Sequence, residues 1–150
     1  MCGIIGIVGN KPVAERLVDG LRRMEYRGYD SAGICTIHEG ALVRRRAEGK
    51  LNNLIAELAD NPAPGEIGIA HTRWATHGAP TAKNAHPHAT EHVALVHNGI
   101  IENFKELRAE LRDAGRTLES DTDSEVVAHL VSRLVENGHS PQEAVADVLT

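Results

Sequence analysis

Aromatic residues are nearly missing from this sequence: 3% of its 150 residues are Phe, Trp or Tyr, and there is one tryptophan. Its core must therefore be aliphatic. Long hydrophobic runs are missing too. No stretch approaches the roughly 20 apolar residues of a spanning helix, so no membrane partner is expected. Positive charge is in deficit, with 16 Lys and Arg against 21 Asp and Glu and a net charge of −5. That balance leaves no electrostatic footprint for nucleic acid. The one basic cluster, Arg44-Arg45-Arg46, is short and reads as a solvated strand face. Cysteine is scarce at two residues, and no charged leader precedes the first apolar run, so a signal peptide is not expected. Both features point to a reducing compartment, the cytoplasm. Standard zinc spacings and a His-Glu-x-x-His helix are also lacking. The six of nine histidines between His71 and His97 are read as loop and strand-end hydrogen-bonders. Neither a metal nor another cofactor is expected.

What is present begins at the first residues, Met1-Cys2-Gly3-Ile4-Ile5-Gly6-Ile7-Val8-Gly9. Trimming of Met1 would leave Cys2 first, with a thiol and a free α-amine on one residue. In model peptides these titrate near ~8.5 and ~7.7–8.0. Nucleophile and base then sit a few bonds apart, with no separate histidine required. If Met1 is retained, Cys2 loses that base. The run Ile4, Ile5, Ile7, Val8 reads as a buried strand holding the chain's head still. Cys35, within Ile34-Cys35-Thr36-Ile37, reads as a small core residue.

Asn10 reads as a helix cap ahead of Pro12. Val13, Leu17, Leu21 and Met24 then recur at helical spacing. Gly33 to His38 and Ala41 to Ala47 read as a hairpin about Glu39-Gly40. A short helix covers Leu51 to Leu58, and Glu66 to Thr72 and His92 to His97 read as strands. The nineteen residues Arg73 to Glu91 form a long loop, the kind that is usually functional or mobile. Phe104, Leu107 and Leu111 line a helix ended by Gly115. Thr122-x-x-Glu125 fits a capping box before Val127, Leu130, Val131 and Leu134, and Ser140-x-x-Glu143 fits another. The last helix barely begins before Thr150, as in a domain cut short.

Four places carry groups of chemical interest. Arg73 is either a surface ion pair or a bidentate clamp for a carboxylate. Trp74 is either core or a lid on the loop that follows. Asn98-Gly99 is either a hairpin turn or a pair of N–H donors facing a developing oxyanion. Asp121 and Asp123 lie at a helix start, where capping explains Thr122 and Glu125 and leaves a carboxylate able to bind an ammonium group.

Taken together these segments resemble the N-terminal-nucleophile glutamine amidotransferases. The match runs through Cys2-Gly3-Ile4-Ile5-Gly6, Arg27-Gly28-Tyr29-Asp30-Ser31-Ala32-Gly33 and His71-Thr72-Arg73-Trp74-Ala75-Thr76-His77-Gly78. It continues through Asn84-Ala85-His86-Pro87-His88, His97-Asn98-Gly99 and Thr122-Asp123-Ser124-Glu125-Val126. The residues around Arg27 and Arg73 are similar to the branch that aminates fructose 6-phosphate. The resemblance implies an α+β, four-layer αββα fold over residues 1–150, incomplete at its C-terminal end, with the sugar isomerase domains absent. It implies that Cys2 attacks the side-chain amide of L-glutamine through a γ-glutamyl thioester, with Asn98 and Gly99 as the oxyanion hole. Arg73 is implied to hold the α-carboxylate and Asp123 the α-ammonium. Thr76 and His77 are implied to surround the bound amino acid, Trp74 to gate released ammonia, and Arg27 to position the N-terminal residue. Fructose 6-phosphate would be met only through the missing half, in a homo-oligomer. The alternatives are a relative with a different acceptor and an inactive or weakly active glutamine-binding fragment. Outside the family, the rivals are a metal-dependent hydrolase built on the histidines and a non-enzymatic amino-acid binder.

Overall fold

The computed structural model describes residues 2–28, 30–75 and 78–149. Its elements run β1 (Gly3–Val8), α1 (Ala14–Met24), a 3-10 turn (Glu25–Arg27), β2 (Ser31–His38), β3 (Ala41–Glu48), α2 (Leu51–Asp60) and β4 (Ile67–Arg73). A second 3-10 turn (Ala82–Asn84) precedes β5 (His88–Ala89), β6 (Ala94–Leu95), α3 (Phe104–Asp113), α4 (Glu125–Glu136) and α5 (Pro141–Val148). The larger sheet has four strands in the order β1-β4-β2-β3, all antiparallel, and β5 pairs with β6 in a second sheet of two. Helices α1 and α2 cover one face of the larger sheet. The β5–β6 pair lies over the other, with α4 packed on it, giving the αββα layering.

The core lies under α1. Leu17, Val18 and Leu21 meet Leu51 and Leu54 of α2 over Ala32, Ile34 and Ala70 of the sheet, with Ile5 and Ile7 joining from β1. Each fully buried aliphatic side chain contributes about 1.5–3 kcal/mol, so this cluster compensates for the scarcity of aromatics. Cys35 is a core residue as its neighbours predict, 2% exposed. Burial pushes its thiol up to about 11.

Several expectations fail for physical reasons. β1 is an edge strand, not a fully buried one. Ile5 and Ile7 face α1, while Ile4 and Val8 alternate to the other side and are 40% and 82% exposed. Helix α1 starts at Ala14 with Val13 as its cap residue, so Asn10 does not cap it. The strand read over His92 to His97 shrinks to Ala94–Leu95. Its hairpin turn lies at residues 90–93, closed by Val93 accepting from Thr90 N at 2.8 Å. The long loop is not structureless, since it holds the Ala82–Asn84 turn and β5, and Asn84 is fully buried. Arg44-Arg45-Arg46 is no solvated face. Arg44 and Arg46 pair with Glu119 at 2.8 and 2.7 Å, and Arg46 also donates to the carbonyls of Lys83 and Ala85. The charges thus fasten the second layer to β3.

At the C-terminal helices, Gly115 ends α3 as expected. At φ +80°, it lets Arg116 N reach Leu111 O and its own N reach Arg112 O. The Ser140–Glu143 capping box forms. The Thr122–Glu125 box does not, because Glu125 turns back to accept from Glu119 N, Ser120 N and Ser120 Oγ. Helix α4 also buries a more polar face than its apolar spacing suggests. Glu125, His129 and Ser132 are buried beside Val126, Ala128 and Val131, while Val127, Leu130 and Leu134 are half-buried.

The second layer comes close to the sheet at Gly33, where a Cβ would lie 2.1 Å from the His86 carbonyl oxygen and 3.1 Å from that of Arg45 in the neighbouring strand. Both are main-chain atoms, so neither can swing aside. Gly33→Ala is expected to lower stability by about 1–3 kcal/mol, as overpacking does, read as a shift in the denaturant midpoint at unchanged slope.

Candidate active site

The register of β1 on β4 sets the site. Gly3 lies opposite Thr72, and Gly3 N donates to Thr72 Oγ1 at 3.2 Å. Cys2, one residue earlier, therefore reaches the end of β4. Trp74 N donates to Cys2 Sγ at 3.1 Å, and the thiol lies 3.6 Å from Trp74 O. The sulfur faces a cavity of about 470 Å³, lined also by Arg27, His71, Arg73, Trp74, His86, His97, Asn98, Gly99, Ile100, Thr122, Asp123 and Ser124.

Most of the residues singled out in the sequence meet here. Asn98 follows β6, and its Nδ2 donates to the Cys2 carbonyl oxygen at 3.1 Å, across 96 residues. A Cβ at Gly99 would stand 2.6 Å from His97 Nε2, so a side chain there would displace that ring. That ring is held in turn by Nδ1 to Ser124 Oγ at 2.9 Å. Arg73 is 4% exposed, with guanidinium N–H groups on the carbonyls of Ala79 and Gly78. Asp123 is 4% exposed, with Oδ2 accepting from Ile101 N at 2.8 Å and Oδ1 from Ser124 Oγ at 3.2 Å. A carboxylate has roughly four acceptor sites, so this one retains capacity toward the cavity. Trp74 is 47% exposed and is not core. Arg27 closes the 3-10 turn after α1, with its guanidinium carbon 5.2 Å from the Tyr26 ring centroid. Thr76 and His77 lie outside the described residues.

Behind these groups is a layer of buried imidazoles. The His71 and His86 rings are 4.2 Å apart, and His86 and His88 are 4.4 Å apart in an edge-to-face arrangement. Their polar atoms go to separate partners: His71 Nε2 to Asn98 Oδ1, His88 Nε2 to Thr122 Oγ1, and His86 Nδ1 to His97 N. Among the described residues, no three His, Cys, Asp or Glu side chains converge as a metal site requires. Burial lowers the His71 imidazole to about 4 and the His88 imidazole to about 3, and pushes His86 lower still. Burial alone would raise the Glu125 carboxyl. The His129 ring 3.6 Å away, with hydrogen bonds from Ser120 and Glu119, outweighs it and brings the group to about 2.

Sequence reasoning assigned no individual role to His71, Thr72, Asp30 or Ser124. Asp30 accepts from Ala75 N, fixing the peptide after Trp74. A signal for His71 existed: alternation along β4 puts it on the same sheet face as Arg73.

An αββα frame whose first strand opens into such a cavity is the N-terminal-nucleophile architecture. The fold matches glutamine phosphoribosylpyrophosphate amidotransferase from B. subtilis, solved with ADP and GMP, with a TM-score of 0.80 and 26% identity. That match covers 99% of this chain and 32% of that one. The family described as "Glutamine amidotransferase domain" matches residues 59–143. The chain belongs to this family. It is 66% identical over 149 residues to a protein named glutamine–fructose-6-phosphate aminotransferase [isomerizing] from Zymomonas mobilis, covering 99% of this chain and 24% of that one. A protein of the same name from Brucella suis gives the same identity and coverage. One from Rhizobium meliloti is 62% identical over 149 residues, again covering 99% of this chain and 24% of that one. The chain spans about a quarter of the length of the curated relatives it matches. No helix among the described residues is long and apolar enough to cross a membrane.

The buried imidazoles make a pH prediction. Folded, His71 and His88 hold a proton only near pH 4 and 3, and His86 lower, whereas unfolded histidine titrates near ~6.5. The unfolded chain therefore binds more protons below ~6.5, and stability is fully present above that pH. Denaturation midpoints measured downward from neutral pH are expected to fall steeply as the pH approaches about 4. Loss of the Glu125 contribution should add to the fall only below the ordinary ~4.3 of an unfolded glutamate.

Proposed function

We propose that this chain is the glutaminase part of a larger cytoplasmic, homo-oligomeric enzyme, and that the ammonia it frees from L-glutamine goes to fructose 6-phosphate to give glucosamine 6-phosphate. Residues 1–150 then belong to the amidotransferase domain, and the sugar-phosphate isomerase domains lie outside the chain. The observation that carries the reading is the hydrogen bond from Asn98 Nδ2 to the Cys2 carbonyl, at 3.1 Å. It ties the amide donor to the nucleophile's own residue in a cavity shared with Arg73 and Asp123.

The chemistry follows from the groups. Once Met1 is removed, the Cys2 α-amine accepts the thiol proton as Sγ attacks the Cδ carbon of glutamine. The carbonyl π bond opens to a tetrahedral oxyanion. An amide nitrogen has two protons; one of those on Asn98 serves the Cys2 carbonyl, and the other serves the oxyanion beside Gly99 N–H. One such donor contributes roughly 2.7–4 kcal/mol to acyl transfer. The α-ammonium returns its proton to the leaving nitrogen, the C–N bond breaks, and ammonia departs past Trp74. Water then attacks the γ-glutamyl thioester, giving glutamate and the free thiol. Arg73 and Asp123 hold opposite charges of the substrate that do not change during the reaction, so they act mainly on binding. Arg27 positions the N-terminal residue, and Thr76 and His77 complete the surround of the amino acid.

Intact mass of the full-length protein before and after 6-diazo-5-oxo-norleucine tests the reading. Loss of Met1 and one adduct on Cys2 are expected; an unlabelled Cys2 would refute it. Cys2→Ala should abolish ammonia release. Arg73→Ala should raise KM for glutamine roughly ten- to hundred-fold, the worth of a charge-assisted hydrogen bond, with a smaller fall in kcat. An unchanged KM would rule out the clamp.

A further inference from the structure

Asn98 can serve an oxyanion only if its carboxamide faces the right way. Rotation by 180° would exchange oxygen and nitrogen, presenting a lone pair where a donor is required. Two contacts bear on this choice: Nδ2 donates to the Cys2 carbonyl at 3.1 Å, and Oδ1 lies 2.8 Å from His71 Nε2. A carbonyl oxygen can only accept, so Nε2 must carry the hydrogen and Nδ1 the lone pair. His71 is 1% exposed, and its Nδ1 is buried with no hydrogen-bond partner. The nitrogen that is engaged is the one aimed at Asn98.

We infer that His71 is a positioning residue for the oxyanion donor: its Nε2–H holds Asn98 Oδ1 and so keeps the Asn98 amide protons toward Cys2 and the reacting amide. The inference rests on the glutaminase reading above. The surroundings suit it. The His86 ring packs 4.2 Å from the His71 ring and fixes its plane. Burial holds the imidazole neutral above about pH 4, so His71 supplies a dipole with no added charge beside Arg73. Its place on β4 gives it a rigid support, where a loop residue would have none.

The test compares His71→Phe, which fills the space without a donor, with His71→Gln, whose amide nitrogen can stand near the Nε2 position. In the full-length protein, His71→Phe is expected to lower kcat for glutamine hydrolysis about ten- to hundred-fold, part of the ~10²–10³ lost when an oxyanion donor is removed. KM should stay near the parent value, and His71→Gln should recover most of the loss. Alkylation of Cys2 by iodoacetamide forms no oxyanion and should keep its rate in both variants. Parent-like kcat in His71→Phe, equal loss in both variants, or alkylation slowed in step with kcat would each overturn the inference. A readout independent of activity separates it from the glutaminase reading. Nitrogen-15 NMR is expected to show His71 as the Nε2–H tautomer, and an Nδ1–H tautomer overturns the proposal even if glutamine is not the substrate.

Discussion

The antiparallel pairing of β1 with β4 is the constraint on which the rest depends. Gly3 opposite Thr72 brings Cys2 to the Trp74 peptide. The same register turns His71 and Arg73 toward the cavity and Ala70 and Thr72 toward the helices. Because side chains alternate with a period of two, a slip of one residue would exchange these sets. The aliphatic core under α1 is what forbids that slip. Packing on one face of the sheet therefore sets the chemistry on the other.

The two faces are held by different physics. Leu17, Leu21 and Leu54 make an ordinary hydrophobic layer. The opposite layer adds to its aliphatic contacts a set of polar ones: Arg44 and Arg46 on Glu119, Glu125 on the Ser120 loop, His88 on Thr122, and Asn84 between Ala79 and Asp121. Ring stacking, normally the work of Phe and Tyr, falls to neutral imidazoles. Such a layer specifies one arrangement because every misplacement strands a buried polar group.

This division explains what could be read from the residues. Features set by local periodicity were legible: the β2–β3 hairpin, helix α2, the Gly115 stop and the Ser140–Glu143 box. The motifs also single out Cys2, Arg73, Asn98, Gly99 and Asp123, and the fold brings these five to one cavity. Features decided by distant partners were not. The Thr122–Glu125 spacing mimics a capping box, yet Glu125 spends its oxygens on Ser120 and Glu119. The α4 stripe at Val127, Leu130 and Leu134 looks like the core face, yet the helix turns Glu125, His129 and Ser132 inward as well. The arginine cluster looks solvated until Glu119, 75 residues from Arg44, is brought beside it.

The two cysteines occupy opposite circumstances. Cys35 is 2% exposed, on the sheet face toward β6 and α4, its thiol raised to about 11 and rarely ionised. Cys2 stands partly open at a cavity. A probe that needs a thiolate, whether fluorophore, spin label or cross-linker, thus meets one address on this domain without any engineered removal of the other.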